Sequence, residues 1–370
     1  MLLLASGEAN AGTCDDPARA AIRAYAAPPA GSDPYAPCVT AANTATSSPP
    51  PPPPPPSSPA PASSPLIIAA SDIKLSHSVF ALPFALLGAF LSAASPTTTA
   101  TASTALSAPI DWQRFTGQLA LVIVCMVLAR TWAMLVNRIA DARFDAANPR
   151  TRGRAVASGR LSRAQAISLA LSSAGGFVLA CVGFLALFDN PWPLALSVPV
   201  LMWLALYSYA KRFTALCHVL LGSALAISPL AAALAINPAS LAHTPSLYAL
   251  SAMVLCWVAG FDIIYALQDE SFDRSAGLFS IPATLGAKNA AYISRGFHVL
   301  AAVALIVAWK LEPHFGPLFL IAALIAIACL FFEHIVLVRR GLAGLPLAFF
   351  TLNGVVSCVV GGAGIMDVLM

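Results

Sequence analysis

An all-α polytopic membrane protein of about nine transmembrane helices is the fold class this sequence predicts, and three observations predict it. Of its 370 residues, 58% are hydrophobic and only 10% are charged, against about 25% charged in a soluble domain. From Ile73 onward the apolar residues run in blocks of about 20, each long enough to cross a bilayer core. Those blocks show no strand-like alternation, and backbone inside lipid must be helical to satisfy its own hydrogen bonds. A single water-soluble globule is excluded. A formal charge of +4 with no basic stripe offers nothing to a nucleic acid.

The blocks predict spans over 73–94, 118–140, 164–188, 193–211, 214–236, 246–268, 288–309, 315–337 and 345–366, the fourth of them containing Pro199. Lys and Arg test this topology. The loop after the second span, with the span end leading into it, carries Arg138, Arg143, Arg150, Arg152, Arg154, Arg160 and Arg163. Alternate loops continue the pattern with Lys211 and Arg212, then Arg274, Lys288 and Arg295, then Arg339 and Arg340. Lys74 falls on the same side, and the opposite loops hold only Arg114 and Lys310. The positive-inside rule then expects the N-terminus in the cytoplasm and, after an odd number of spans, the C-terminus outside.

Residues 1–70 read as a separate tail rich in Pro, Ser and Ala, with 71–370 as the transmembrane domain. The tail contains an unbroken proline run, Pro49–Pro56, and such a segment is expected to be extended and solvated. Met1–Leu4 is too short an apolar run for a signal sequence. Cys125, Cys181, Cys217, Cys256, Cys329 and Cys358 lie singly in or near apolar stretches and form no CxxC pair, which reads as small buried hydrophobes. Residues 95–108 form an uncharged Ser/Thr/Ala loop, expected to be a passive insertion.

The chemistry lies in the acids. Asn137, Asp141 and Asp145 follow an i, i+4, i+8 spacing that stacks them on one helix face at the end of the second span. Asp262, Tyr265, Asp269 and Asp273 form a second set at the same end of the sixth span. Two acidic faces on one side of a membrane are costly unless something positive neutralises them. Arg138, Arg143 and Arg274 are near enough in sequence to do so in part, leaving salt-bridged helix ends as one reading. The other is a hard cation such as Mg²⁺, which takes one or two carboxylates and shares substrate phosphates. Arg150, Arg154 and Lys211 would then hold a diphosphate. Metal-assisted departure of diphosphate from a lipid substrate would leave an allylic cation, and a water-poor helical cavity would protect it.

The two segments also resemble the motifs of a known family. Asn137-Arg-Ile-Ala-Asp141-Ala-Arg-Phe-Asp145 is similar to the NxxxDxxxD motif of the UbiA-type superfamily of intramembrane aromatic prenyltransferases, and 262–273 resembles its YxxxDxxxD motif. The stretches 73–83, 148–152, 207–214 and 277–282 further resemble the 4-hydroxybenzoate polyprenyltransferases and their relatives in quinone synthesis. The resemblance covers almost all of 71–370. It implies a nine-helix bundle in a bacterial cytoplasmic membrane, with the site facing the cytoplasm. It implies Mg²⁺ held by Asn137, Asp141, Asp145, Asp269 and Asp273, the four aspartates being catalytic. It places Arg150 or Arg154, Tyr207 and Lys211 on a polyprenyl diphosphate, and Asp262 and Tyr265 near an aromatic acceptor. The implied reaction is ring substitution ortho to a phenol.

Arg130 lies about two turns inside the second span, seven residues before Asn137 and near the same face, where a guanidinium is expensive. It reads equally as an anchor for an acceptor carboxylate and as a structural pair. His77 reads as a cap on the first span in preference to a cavity-lining residue, Glu333 and His334 as a local polar pair, and Trp132, Trp203 and Trp257 as interface anchors or cavity walls. The acceptor stays open between 4-hydroxybenzoate, for ubiquinone, and 1,4-dihydroxy-6-naphthoate, for menaquinone. A cation-coupled transporter is the rival from another class, although its charges belong nearer the bilayer midplane.

Overall fold

The protein, as a computed structural model, is described over residues 64–72, 80–95, 110–345 and 347–370. Its helices are α1 (Pro65–Asp72), α2 (Leu82–Ala94), α3 (Trp112–Ala147), α4 (Arg163–Phe188), α5 (Trp192–Leu206), α6 (Cys217–Ile236), α7 (Ser240–His243), α8 (Ser246–Ala266), α9 (Glu270–Ser275), α10 (Ile281–Leu311), α11 (Pro317–Arg340) and α12 (Asn353–Leu369). Tighter 3-10 turns occupy Tyr207–Arg212 and Leu267–Asp269, and a π-helical stretch, Leu347–Leu352, leads into α12. No strand occurs among the described residues.

Among these residues, eight helical segments are long and apolar enough to cross a membrane, and they coincide with the second to ninth predicted spans. The first predicted span is described only from Phe80. Its helix α2 has 13 residues, about 20 Å at about 1.5 Å per residue, against a hydrocarbon core of about 30 Å. Residues 73–79, with Lys74 and His77, lie outside the described residues, as do Pro49–Pro56 and nearly all of the 95–108 loop. Pro65–Asp72, which straddles the tail boundary expected at residue 70, is helical. Ala69 buries against Leu135, Ala155, Leu161 and Ala166, and Asp72 accepts hydrogen bonds from Arg138 Nε and Ala155 N, both at 2.8 Å.

Local chemistry sets the ends that matter for the site. Helix α3 runs for 36 residues, about 54 Å at about 1.5 Å per residue, so its last turns stand clear of the hydrocarbon. It stops at Asn148 because Pro149 disfavours helical backbone in the residue before it. A capping box between Ser162 and Gln165 starts α4. Ser280 Oγ accepts from Ala283 N to start α10, and Gly286, at φ 79°, breaks that helix near its beginning.

Helix α8 is the centre of the bundle, with α6 on one side and α10 on the other. Leu247, Leu250, Met253, Trp257 and Ile263 are fully buried along it. Two glycines allow the close approach. A Cβ on Gly88 of α2 would stand 2.3 Å from Pro229 O, and one on Gly222 of α6 would stand 2.5 Å from Leu255 O. Small residues at such crossings are how membrane helices pack without a hydrophobic driving force between them. Gly222→Ala is therefore expected to cost about 2 kcal/mol by overpacking, read as a lower midpoint of thermal unfolding in detergent. An unchanged midpoint would mean that α6 and α8 can separate freely.

Candidate functional site

The two acidic sets lie at the same end of the bundle, and four cations reach them from neighbouring turns. The end of α3 supplies Asn137, Asp141 and Asp145. The turn after it supplies Arg150 and Arg154, the Tyr207–Arg212 turn supplies Lys211 and Arg212, and the Leu267–Ser275 segment supplies Asp269 and Asp273. Each aspartate has its own partner. Arg212 Nη2 is 2.9 Å from Asp141 Oδ1, and Arg154 Nη1 is 2.7 Å from Asp145 Oδ1. Lys211 Nζ is 3.3 Å from Asp273 Oδ2. Arg150 grips Asp269 through both Nε, at 2.9 Å, and Nη2, at 2.5 Å, while Asn148 Nδ2 adds a third bond at 3.1 Å.

The pairing is a consequence of burial. Asp145, Asp269 and Asp273 are 5%, 6% and 3% exposed, and a carboxylate so far from water is costly without a matched cation. For Arg150 burial pulls the pKa down, but the two-point grip on Asp269 outweighs it and holds the guanidinium above its usual value. Lys211 ties the two sets together, since it also lies within electrostatic reach of Asp141, Asp262 and Asp269.

The partners differ from those that adjacency in sequence suggested. Arg138 turns back to Asp72 and to Asn137 Oδ1 (3.2 Å), and Arg274 pairs with Glu270 one turn away. Asn137 instead donates to Asp141 Oδ2 at 3.0 Å. The face expected to carry Asp262, Tyr265, Asp269 and Asp273 together is also interrupted. The 3-10 turn at Leu267–Asp269 changes the helical phase, so the side chains diverge. Asp262 meets His218 of α6 at 2.7 Å, and Tyr265 stacks against Phe349 and receives a 3.3 Å bond from Arg150 Nη1. Asn148, Arg212 and His218 are the site residues that spacing did not single out. A lone histidine beginning an otherwise apolar span was the available signal for His218.

A partly open cavity of about 360 Å³ is lined by α3, α5, α6 and their neighbours. Its walls are mainly apolar, among them Val122, Ala133 and Phe184, with Arg130 and Tyr207 together as polar exceptions. Arg130 is two turns from Asn137 on α3, and Tyr207, one turn from Lys211, lies within electrostatic reach of Asp141, so these two polar wall residues are neighbours of the ion-pair cluster.

One further expectation is corrected, and the contacts behind two others are defined. Trp257 is core rather than an interface anchor or cavity wall: it is fully buried and its Nε1 donates to Asn353 Oδ1. Trp132 and Trp203 donate to Leu201 O and Ser223 Oγ, which fixes them between helices. Glu333 and His334 share no hydrogen bond with each other, as expected of successive helix residues. They join His298 of α10 instead, with His334 Nε2 at 3.0 Å and Glu333 Oε2 at 3.9 Å from its Nδ1.

The donor set suits a hard cation. Asn137 and the four aspartates offer only oxygen, and Asp145 Oδ2 is buried with no hydrogen-bond partner among the described residues. No three His, Cys, Asp or Glu side chains converge as a ready-made metal site among the described residues. An ion that takes one or two carboxylates and completes its shell from phosphate and water does not require one.

Comparison with known proteins gives this helical membrane bundle a family. Residues 79–355 match the UbiA prenyltransferase family, and the chain belongs to it. It is similar to the 4-hydroxybenzoate octaprenyltransferase of Azotobacter vinelandii, 30% identical over 223 residues, covering 60% of this chain and 72% of that one. The enzyme of the same name from Francisella tularensis subsp. novicida is 33% identical over 190 residues, covering 51% and 63%. Among solved structures, an apo UbiA homolog from Aeropyrum pernix superposes with a TM-score of 0.67 at 29% identity, over 80% of this chain and 99% of that one. A UbiA homolog from Archaeoglobus fulgidus, bound to GPP and Mg²⁺, shares the fold at 15% identity with a TM-score of 0.59, over 82% and 100%. The chain is thus a membrane prenyltransferase, and the transporter alternative falls away.

Asp72→Ala would leave the Arg138 guanidinium buried without its carboxylate beside Asn137. The expected cost is about 3 kcal/mol, measured as a fall in the unfolding midpoint. An unaltered midpoint would show that α1 does not anchor the site.

Proposed function

We propose that the protein transfers a polyprenyl group from polyprenyl diphosphate to the ring of an aromatic acid such as 4-hydroxybenzoate, in quinone biosynthesis. The observation that carries this reading is the cluster of four carboxylates, each matched to a cation, with Tyr207 of an apolar cavity's wall within electrostatic reach of it. Such a cluster can exchange partners. Arg150, Arg154, Lys211 and Arg212 are poised to move from carboxylate to phosphate oxygens, which bind guanidinium and ammonium groups at least as well. Asn137, Asp141, Asp145, Asp269 and Asp273 would then be free to hold Mg²⁺. When bound, Mg²⁺ supplies charge that offsets the departing diphosphate.

The remaining residues serve the organic halves of the reaction. The apolar cavity takes the prenyl chain and excludes water from the allylic cation left when the C–O bond breaks. Tyr265, held by Arg150 and Phe349, presents an aromatic face near that charge. Arg130 suits the carboxylate of the acceptor, where a planar guanidinium can pair with two oxygens. Asp262 accepts a hydrogen bond from the phenolic hydroxyl. These two side chains suit the carboxylate and the hydroxyl that 4-hydroxybenzoate and 1,4-dihydroxy-6-naphthoate both carry, and the names of the relatives favour the first. The arginine-rich loops support a reactive end on the cytoplasmic side, in this reading of a bacterial inner membrane.

Membranes containing the protein, given a long-chain prenyl diphosphate, Mg²⁺ and either acceptor, are expected to yield a prenylated product by mass spectrometry. EDTA should remove it, and Asp141→Asn or Asp269→Asn should lower turnover by about a hundredfold or more. Wild-type turnover in either variant would end the metal–diphosphate reading. Lys211→Ala is expected to raise the KM for prenyl diphosphate about tenfold with the acceptor KM little changed. The opposite split would move Lys211 to the acceptor side.

A further inference from the structure

His218 is a buried polar group for which prenyl transfer as described above has no use. It is the second residue of α6 and is fully buried, and its two ring nitrogens meet different partners. Nδ1 is 2.7 Å from Asp262 Oδ2, and Nε2 is 3.3 Å from Ile281 N. A backbone N–H can only donate, so Nε2 must be the acceptor and the proton of the neutral ring sits on Nδ1, donating to Asp262.

The partner at Nε2 belongs to a strap, residues 278–281, that runs from the second aspartate set into α10. Leu278 N donates to Asp273 O at 2.8 Å, and Phe279 N donates to Lys211 O at 2.6 Å. Cys217 Sγ lies 3.6 Å from Phe279 O, next to the His218 contact with Ile281. His218 therefore connects the strap that braces Lys211 and Asp273 to the carboxylate of Asp262. That carboxylate is 21% exposed, and its second oxygen receives no hydrogen bond among the described residues.

Resting on the prenyl-transfer reading, we infer that His218 is a positioning residue for the acceptor half of the reaction: it clamps Asp262 Oδ2, leaving Oδ1 to accept from the acceptor hydroxyl. One oxygen held and one open fixes the direction of the acceptor's hydrogen bond. An unclamped Asp262 would swing between rotamers. A residue that merely stapled the strap would act through Lys211 and Asp273, and so on the diphosphate instead. The two roles thus fall on different kinetic constants.

The test uses the full chain in detergent or nanodiscs, with polyprenyl diphosphate, Mg²⁺ and 4-hydroxybenzoate or the dihydroxynaphthoate. His218→Leu is expected to lower kcat by about ten- to a hundredfold while the diphosphate KM stays within about twofold. His218→Gln, which offers one donor and one acceptor, should restore kcat to within about threefold of wild type. The double variant with Asp262→Asn should fall no further than Asp262→Asn alone, since both act on one interaction. If His218→Leu does not fold, His218→Asn serves, being one methylene too short to reach both partners and so expected to be slower than His218→Gln. A raised diphosphate KM with kcat intact, additive losses in the double variant, or equal rates for Gln and Asn would each overturn the inference. A folded wild type that prenylates neither acceptor would instead overturn the reading beneath it, and the inference with it.

Discussion

Everything at the charged end of this protein follows from the cost of holding carboxylates in a poorly solvated place. An unpaired buried charge is destabilising by several kcal/mol, so each of Asp141, Asp145, Asp269 and Asp273 is matched by its own cation. The matching in turn requires three separate turns of backbone to converge on the end of α3. The fold at this end is shaped by that requirement more than by apolar packing, which is concentrated around α8. A cluster balanced in this way is also ready to exchange, because bringing in an anion and a divalent cation together preserves its neutrality.

The helices are interrupted where the site needs a side chain aimed away from the regular helical face. The chain leaves α5 through a 3-10 turn that turns Lys211 and Arg212 toward different aspartates. It leaves α8 through a second, which separates Asp262 from Asp269 and Asp273. Irregular backbone at a membrane-spanning segment is tolerated where it lines a cavity or is covered by protein, and both turns adjoin the site. The rest of the bundle supplies rigidity, with Gly88 and Gly222 letting three helices approach to backbone contact.

Legibility in the sequence differed from residue to residue. Asn137, Asp141 and Asp145 could be read as one face because they fall in an unbroken helix, where spacing alone sets direction. Asp262, Tyr265, Asp269 and Asp273 could be read as a set but not as a geometry, because a single tight turn changes the phase. The cations were legible as a surplus, yet Arg138 and Arg274, both close in sequence to the acidic sets, serve other carboxylates. Arg212 and His218 reach the site across more than 40 residues of chain, and no local pattern foretells such a pairing.

By itself the sequence determined the membrane class, the run of spans and the two acidic sets, since hydropathy, helical period and charge placement are properties of neighbouring residues. Tertiary structure alone decided which cation meets which carboxylate, that Trp257 is core, that Glu333 and His334 face His298, and that Arg130 and Tyr207 share the wall of an apolar cavity. These depend on how far apart the helices lie and how each is rotated. Both are set by long-range packing and by the need to leave no buried charge alone.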